Sequence, residues 1–364
     1  MQKFGLIWVL VQNDNLKLLH VNWLLFPLLA PLALLFHLVT RFRNLGYDLN
    51  FFRSKSVPVP TLCVGNLRVG GTGKTPFVEY LLKQFVISNK QVCTLNRGYG
   101  RKTKGFIEAN SVSYAEQIGD EAMQYFQKFG LNVKVFVGEN RVKAIHDILL
   151  KYSNLDLVVL DDAFQHRSLK CQYNILLTEL ERPFYKDFLL PFGRLREARI
   201  GANRAQCVVV TKCPTILTES KRNECLKNIS KYTQKNTPIF FTTISYSAPV
   251  SLFRPTKPIG KDTKVLLLSG IDNPIPFIEF CKSNYIVSEV VKFPDHHNFS
   301  FNDLQLVLEK SKKTDLILTT EKDATRLEKF ASLFEKTDIC YLPIEINFLG
   351  EEEQFLSILK NLTN

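Results

Sequence analysis

The sequence predicts an α/β protein built on a doubly wound, mostly parallel sheet, with an apolar helical segment before it and a second, smaller α/β domain after it. Three observations predict this. Short apolar runs at 61–64, 92–95, 133–137, 156–160, 174–178 and 207–211 alternate with helical stretches, as in strands joined by crossover helices. A glycine-rich turn, Gly70 to Thr75, separates the first run from a helix-like stretch at 77–85. The fourth run ends directly in Asp161-Asp162, which places carboxylates at the strand edge where such sheets bind ligands.

With 364 residues, 45% hydrophobic and 23% charged, the chain has the composition of a folded protein and enough length for two cores. Lys and Arg number 47 against 35 Asp and Glu, a net charge of +12. Such a surplus suits an anionic partner: a nucleotide, a phospholipid surface or a phosphorylated substrate. No nucleic-acid recognition motif is present, so no nucleic acid is expected, and no obligate protein partner is evident. The eight cysteines form no Cys-x-x-Cys pair and no zinc-like cluster, which reads as free thiols in a reducing cytosol.

The N-terminal segment, 1–45, is expected to associate with a membrane. From Val21 to Val39 it is almost wholly apolar, and Arg41, Arg43, Arg53 and Lys55 follow. A signal peptide fits poorly, because the apolar run starts deep and Pro27 and Pro31 interrupt it. A spanning helix with a cytoplasmic basic flank is one reading. The prolines and His37 favour a second, a monotopic helix or hairpin embedded in one leaflet. Trp8 and Trp23 argue against a helix buried in the protein core, since tryptophan favours the bilayer interface.

Residues 46–240 are expected to form the nucleotide-binding domain. Between the run at 61–64 and the following helix lies Gly70-Gly71-Thr72-Gly73-Lys74-Thr75. That is the strand–loop–helix setting of a P-loop, here a P-loop kinase-like fold. Glycines let main-chain N–H groups close around phosphate oxygens, and the helix N-terminus adds its positive end. These six residues are therefore expected to bind ATP. Lys74 would reach the β- and γ-phosphates, and the Thr75 hydroxyl would ligate Mg²⁺. Arg68 stands where the usual pattern has its first glycine, so the loop is the shorter Gly-Gly-x-Gly-Lys-Thr form. Asp161 and Asp162 are the expected further metal ligands, directly or through water. Taken singly, each motif could be an ordinary turn; together in one chain they support nucleotide binding.

The run Asp161-Asp162-Ala163-Phe164-Gln165-His166-Arg167 resembles the Asp-Asp-Gly-Phe-Gln-His-Arg signature of the tetraacyldisaccharide 4'-kinase family. Further matches fall in order: Val64-Gly65-Asn66, Asn96 to Arg101, Gly119-Asp120-Glu121, Gly138 to Arg141, Leu190 to Glu197, Ser269-Gly270-Ile271, Asp295-His296-His297 and Thr320 to Ala324. The resemblance thus spans nearly the whole chain. Ala163 replaces a usual glycine, Asn96 a usual serine and Ala122 a usual proline.

The resemblance implies transfer of the ATP γ-phosphate to the 4'-hydroxyl of a tetraacylated glucosamine disaccharide 1-phosphate. This is a late step of lipid A synthesis, at the cytoplasmic face of the bacterial inner membrane. Each buried CH₂ is worth about 0.8 kcal/mol, so an acylated substrate stays in the bilayer and the enzyme must come to it. The family also implies that Asp120 orients the sugar hydroxyl as a base paired with His296. On the residues alone, Asp120 reads as a helix start and His296 as a turn histidine. Arg141 and Arg196 suit transferred phosphate or the lipid 1-phosphate, because guanidinium forks match phosphate oxygens. Arg97 and Arg101 fit the same role, and Gln165, His166 and Arg167 are expected to surround substrate or Mg²⁺.

Two β-prone runs within 239–253 suggest a two-stranded linker, placed at 241–264, and a smaller α/β domain at 265–364. Because His296 falls in the second domain and Asp120 in the first, the active site is expected between them, with closure on substrates. Two rival functions remain at this point: a membrane-attached regulatory P-loop ATPase, and a P-loop kinase for another amphiphile. The first usually carries a lysine before the paired glycines, where this chain has Val69.

Overall fold

The computed structural model describes residues 17–256 and 258–363, with side chains from residue 29 onward. In the larger sheet β1 (Thr61–Asn66), β2 (Val92–Asn96), β4 (Lys134–Val137), β5 (Leu157–Asp161), β6 (Tyr173–Glu179), β7 (Cys207–Cys213) and β8 (Ile239–Tyr246) run parallel. Their order is β8-β7-β6-β1-β5-β2-β4. Antiparallel strands β3 (Ile107–Glu108) and β14 (Ile344–Phe348) close the two edges.

Every residue of β1, β2 and β5 is buried, because helices cover both faces of a parallel sheet. Side chains alternate between the two faces. Leu62 and Val64 pack with Phe77, Val78 and Leu81 of α2 (Lys74–Ile87), while Cys63 packs with Ile145 and Ile148 of α5 (Arg141–Lys151). Parallel pairing sets Val64 opposite Asp161. The loop leaving β1 and the aspartates leaving β5 therefore emerge side by side. Helices α3 (Ala115–Ile118) and α4 (Asp120–Phe129) join the face of α2, and α6 (Glu219–Ile229) joins that of α5.

The smaller sheet has the order β11-β10-β12-β13-β9. It comprises β9 (Val250–Ser251), β10 (Lys264–Ser269), β11 (Ile286–Lys292), β12 (Leu316–Thr320) and β13 (Ile339–Leu342), with only β9 antiparallel. Its helices are α7 (Ile275–Asn284), α8 (Phe301–Ser311) and α9 (Glu321–Leu327).

Chain segments around 241–264 and after 343 are distributed differently from the expected linker and C-terminal domain. The first run of the expected linker is β8 of the large sheet, and only β9 joins the small one. The chain then returns: β14 pairs with β8, and α10 (Glu352–Leu362) buries Phe355, Leu359 and Leu362 in the large core. Phe355 meets Phe77 and Phe240 at ring-centroid distances of 5.8 and 5.3 Å. The apolar flank of α2 and the open edge of β8 are the surfaces that this last segment covers.

Helix α1 (Lys17–Asp48) runs unbroken through Pro27 and Pro31. Each proline deletes one backbone hydrogen bond, and here the ladder continues on either side. Leu34, Leu35, Val39 and Phe42 are 58–70% exposed. The far end of the helix is tied down: Arg43 donates to Gln165 O at 2.8 Å, Asn44 to Glu197 at 2.7 Å, and Arg167 to Asp48 at 2.6 Å. Among the described residues no helix is long and apolar enough to cross a membrane. Trp8, the rest of residues 1–16 and the Trp23 side chain lie outside the described structure. All eight cysteines are free and most are buried.

Candidate active site between the two sheets

The loop after β1 is built from main-chain contacts that its sequence permits. Gly70 and Gly73 have φ of 107° and 80°, left-handed values that glycine adopts without strain. Gly73 caps α2, whose first residues are Lys74 and Thr75. Buried Thr72 is pinned from two sides: Asn66 Nδ2 donates to its Oγ1 at 2.7 Å, and Thr211 Oγ1 donates to its carbonyl at 2.9 Å. Lys212 donates to Gly71 O and to Glu179. These contacts fix the loop at the N-terminus of α2, where the helix end and the Lys74 ammonium suit an anion.

Beside it stands the aspartate pair. Lys74 Nζ lies 3.7 Å from Asp162 Oδ1, and Arg196 Nη1 donates to Asp162 Oδ1 and Oδ2 at 2.8 and 3.0 Å. Burial would raise the Asp162 carboxyl, but Lys74 and Arg196 hold it below its ordinary value. Asp161 is fully buried, and burial beside the Asp162 charge pushes it up to about 7. Its Oδ2 accepts from Asn96 Nδ2 and Tyr125 OH, both at 3.0 Å, while Oδ1 is buried without a partner. That bare oxygen and a second carboxylate are hard oxygen donors, as is the Thr75 hydroxyl at the start of α2. They fit Mg²⁺, which takes one or two carboxylates together with phosphate oxygens. The left-handed residue in this turn is Asp162, at φ 49°, so Ala163 carries no positive-φ strain.

The second predicted pair forms where the two sheets meet. His296 Nδ1 is 3.0 Å from Asp120 Oδ2, which also accepts from Arg326 Nε and Nη2 at 2.9 and 2.6 Å. Burial would raise the Asp120 carboxyl, but the hydrogen bonds from His296 and Arg326 hold it at about 2. Gly119, at φ 90°, turns the chain into α4; a Cβ there would stand 3.1 Å from Tyr99 O and 3.2 Å from Gly98 Cα. This packing sets the Asn96–Arg101 segment against Asp120, and the Tyr99 ring meets His296 edge-on at 5.5 Å.

The remaining predicted residues divide. Buried Arg141 donates to the carbonyls of Gly138 and Glu139 at 3.1 and 3.0 Å, with Nε unpaired. Burial and the neighbouring Arg97 draw its proton affinity below the ordinary value. Arg97 is exposed. Arg101 is turned away to Glu139 and Gly105 O, at 2.5 and 2.7 Å. Gln165 donates to Asn66 O and Glu197, bracing the turn beneath the loop. His166 faces a separate cavity of about 760 Å³ lined by Arg53, Lys55, Lys143 and His146. Burial and the cations Arg141, Arg43 and Arg97 lower His166 to about 4. Sequence reasoning missed Lys322 and Arg326, although the segment Thr320 to Ala324 matches the family pattern. Their spacing of one helical turn on α9 was the available signal.

A phosphate loop, a carboxylate pair beside it and an acid–imidazole pair where the two sheets meet define a P-loop phosphotransferase. The chain belongs to the Tetraacyldisaccharide-1-P 4'-kinase family, whose model matches residues 25–364. It is 41% identical to the tetraacyldisaccharide 4'-kinase of Flavobacterium psychrophilum over 331 residues, 90% of this chain and 94% of that one. The enzyme of that name from Flavobacterium johnsoniae is also 41% identical, over 93% and 97% of the two chains. Among solved structures it resembles LpxK from Aquifex aeolicus in complex with ATP, with a TM-score of 0.73 and 29% identity, covering 94% of this chain and all of that one.

Proposed function

We propose that this protein transfers the γ-phosphate of ATP to the 4'-hydroxyl of a tetraacylated glucosamine disaccharide 1-phosphate, at the cytoplasmic face of the inner membrane. The observations that carry the reading are the Gly70–Thr75 loop at the start of α2, with Lys74 beside Asp162, and the Asp120–His296 pair formed where the two sheets meet.

In this reading the loop amides and Lys74 hold the triphosphate. Mg²⁺ arriving with ATP would be held by Asp161, Asp162 and Thr75, and would supply charge neutralisation on the phosphates. Arg196 holds Asp162, and buried Arg141 at the start of α5 adds positive charge near Asp161 and Asp162. Asp120 accepts the hydrogen bond of the acceptor hydroxyl. The acceptor oxygen bonds to the γ-phosphorus, the bond to the β–γ bridging oxygen breaks with its electron pair leaving on ADP, and the hydroxyl proton passes to Asp120. A carboxyl held at about 2 is a weak base. It therefore orients the nucleophile and takes the proton late, as a loose phosphoryl-transfer transition state requires.

The exposed apolar length of α1, tied at its end to Gln165 and Glu197, supports attachment to the membrane beside the site. The deciding experiment incubates the full chain with labelled ATP and the disaccharide 1-phosphate in mixed micelles. A bisphosphorylated lipid is expected, and Asp120→Ala should abolish it while ATP still binds. Membrane-stimulated ATP hydrolysis with no labelled lipid would instead favour a regulatory ATPase.

A further inference from the structure

Asp120 is gripped through one oxygen. Oδ2 receives His296 Nδ1 at 3.0 Å and both Nε and Nη2 of Arg326; among the described residues Oδ1 has no such partner. Arg326 is itself immobilised, 7% exposed, with Nη1 donating to Gly270 O at 3.1 Å and to Asp323 Oδ1 at 3.0 Å. Asp323 in turn accepts from the Gly270 N–H at 2.9 Å and from Thr320 Oγ1 at 2.7 Å. The fork is thus set by the loop after β10 and the first turn of α9.

One turn back on α9, Lys322 Nζ lies 2.9 Å from His296 Nε2. An ammonium has donors only, so Nε2 is the bare nitrogen and the ring proton sits on Nδ1, toward Asp120. The charged groups around this pair come from three segments: α9, α4 and the loop after β11. Lys322 is 3.5 Å from Asp295 and 4.0 Å from Glu121. Asp295 Oδ2 is 3.7 Å from Nε2, and Arg326 Nη2 is 3.4 Å from Nδ1.

We propose that α9 is the positioning element of the acid–imidazole pair: Arg326 occupies Oδ2 of Asp120 and so turns Oδ1 to the acceptor hydroxyl, while Lys322 locks His296 in its Nδ1–H form. Neither cation touches substrate. The inference rests on Asp120 being the base. A carboxylate held by three donors on one oxygen cannot rotate, so its free oxygen keeps the geometry that the reaction needs. Because Arg326 comes from the smaller sheet and Asp120 from the larger, the base is complete only when the two are docked.

The test compares Arg326→Gln, Arg326→Lys and Lys322→Met in the full chain with labelled ATP and the disaccharide 1-phosphate. Arg326→Gln is expected to lower kcat on the order of 10²-fold, the scale of a misplaced general base. ATP affinity should stay unchanged, and the acid limb of the rate profile should rise by about one pH unit or more as Asp120 loses an opposite charge. Arg326→Lys should restore part of the rate and bring the limb back. In ¹⁵N-labelled protein, Lys322→Met should replace the pure Nδ1–H signature of His296 with a mixture. That variant carries the test if Arg326→Gln fails to fold, since Lys322 is less buried than Arg326. Rate profiles superposable on wild type, or an unchanged imidazole signature in Lys322→Met, would overturn the proposal. Asp120→Ala separates the two levels. Full turnover in that variant removes the base itself, whereas an inactive Asp120→Ala beside an unaltered Arg326→Gln removes only the positioning role.

Discussion

Arg68 donates from Nε to Asp187 Oδ2 at 2.5 Å, in the place where the usual phosphate loop begins with glycine. Its Nη1 also reaches Glu179 at 3.2 Å and the Arg182 carbonyl at 2.8 Å, and the residue is 6% exposed. The loop's entry is therefore fixed by a buried cation between two acids, with Lys212 closing the same network through Glu179 and Gly71. Removing one partner of a buried ion pair leaves the others uncompensated and costs about 3–5 kcal/mol. Arg68→Ala should lower the denaturant midpoint accordingly and weaken ATP binding as the loop loosens. An unchanged midpoint would show that the network is strained enough to contribute nothing.

The strands and the phosphate loop were legible because each is a local pattern: an apolar run, a glycine cluster, an aspartate pair. What was not legible depends on pairing at a distance. Nothing in residues 344–362 states that Ile346 faces Ile244 across an antiparallel ladder, so the chain's return to the large sheet was invisible. Arg68 looked like a defect in a motif, because its partners Glu179 and Asp187 lie more than a hundred residues on. Asp120 and His296 were found by resemblance. The cations that hold them were not, since Lys and Arg on a short helix read as a solvated face until a buried acid is seen opposite.

Glu79 supplies a pH test. It sits on α2, and burial followed by the nearby Glu321 charge raises its carboxyl from an ordinary 4.5 to about 8, against the opposing pull of Lys128. Lys128 bridges the two acids at 2.7 and 2.9 Å, linking the phosphate-loop helix to α9. The folded value lies above the unfolded one, so the folded state binds the proton more tightly between about pH 4.5 and 8, and stability falls as pH rises through that window. Glu79→Gln should flatten this slope. Its melting temperature should match wild type near pH 5 and equal or exceed it at pH 8.5. Parallel melting curves across that range would exclude the assignment.

The exposed side chains of α1 predict how the protein meets lipid. Moving one leucine-sized side chain from water into hydrocarbon is worth about 1.5–3 kcal/mol. Replacing Leu35, Val39 and Phe42, all more than half exposed, by serine should weaken vesicle binding by at least roughly tenfold per residue fully inserted. ATP binding should be unaffected, because none of the three touches the cleft. Flotation with vesicles that recovers the triple variant as well as wild type would move the attachment elsewhere.

The side-chain amide of Asn96 holds a carboxylate in place. Nδ2 donates to Asp161 Oδ2 at 3.0 Å, beside the Tyr125 hydroxyl. With both donors on Oδ2, the carboxylate plane is fixed and the unpaired Oδ1 would be the oxygen to meet a cation that accompanies ATP. Loss of a hydrogen bond to a metal-binding carboxylate typically costs 10–100-fold in metal affinity. Asn96→Ala should therefore raise the Mg²⁺ concentration for half-maximal turnover by about that factor. Asn96→Ser should recover part of it if the shorter hydroxyl, or a water behind it, still reaches Oδ2. Tyr125→Phe should act in the same direction, and the double variant should exceed either alone. A Mg²⁺ dependence identical to wild type in Asn96→Ala, Tyr125→Phe and the double variant would mean that Asp161 is not a ligand, leaving Asp162, already committed to Arg196 and Lys74, as the carboxylate to test next.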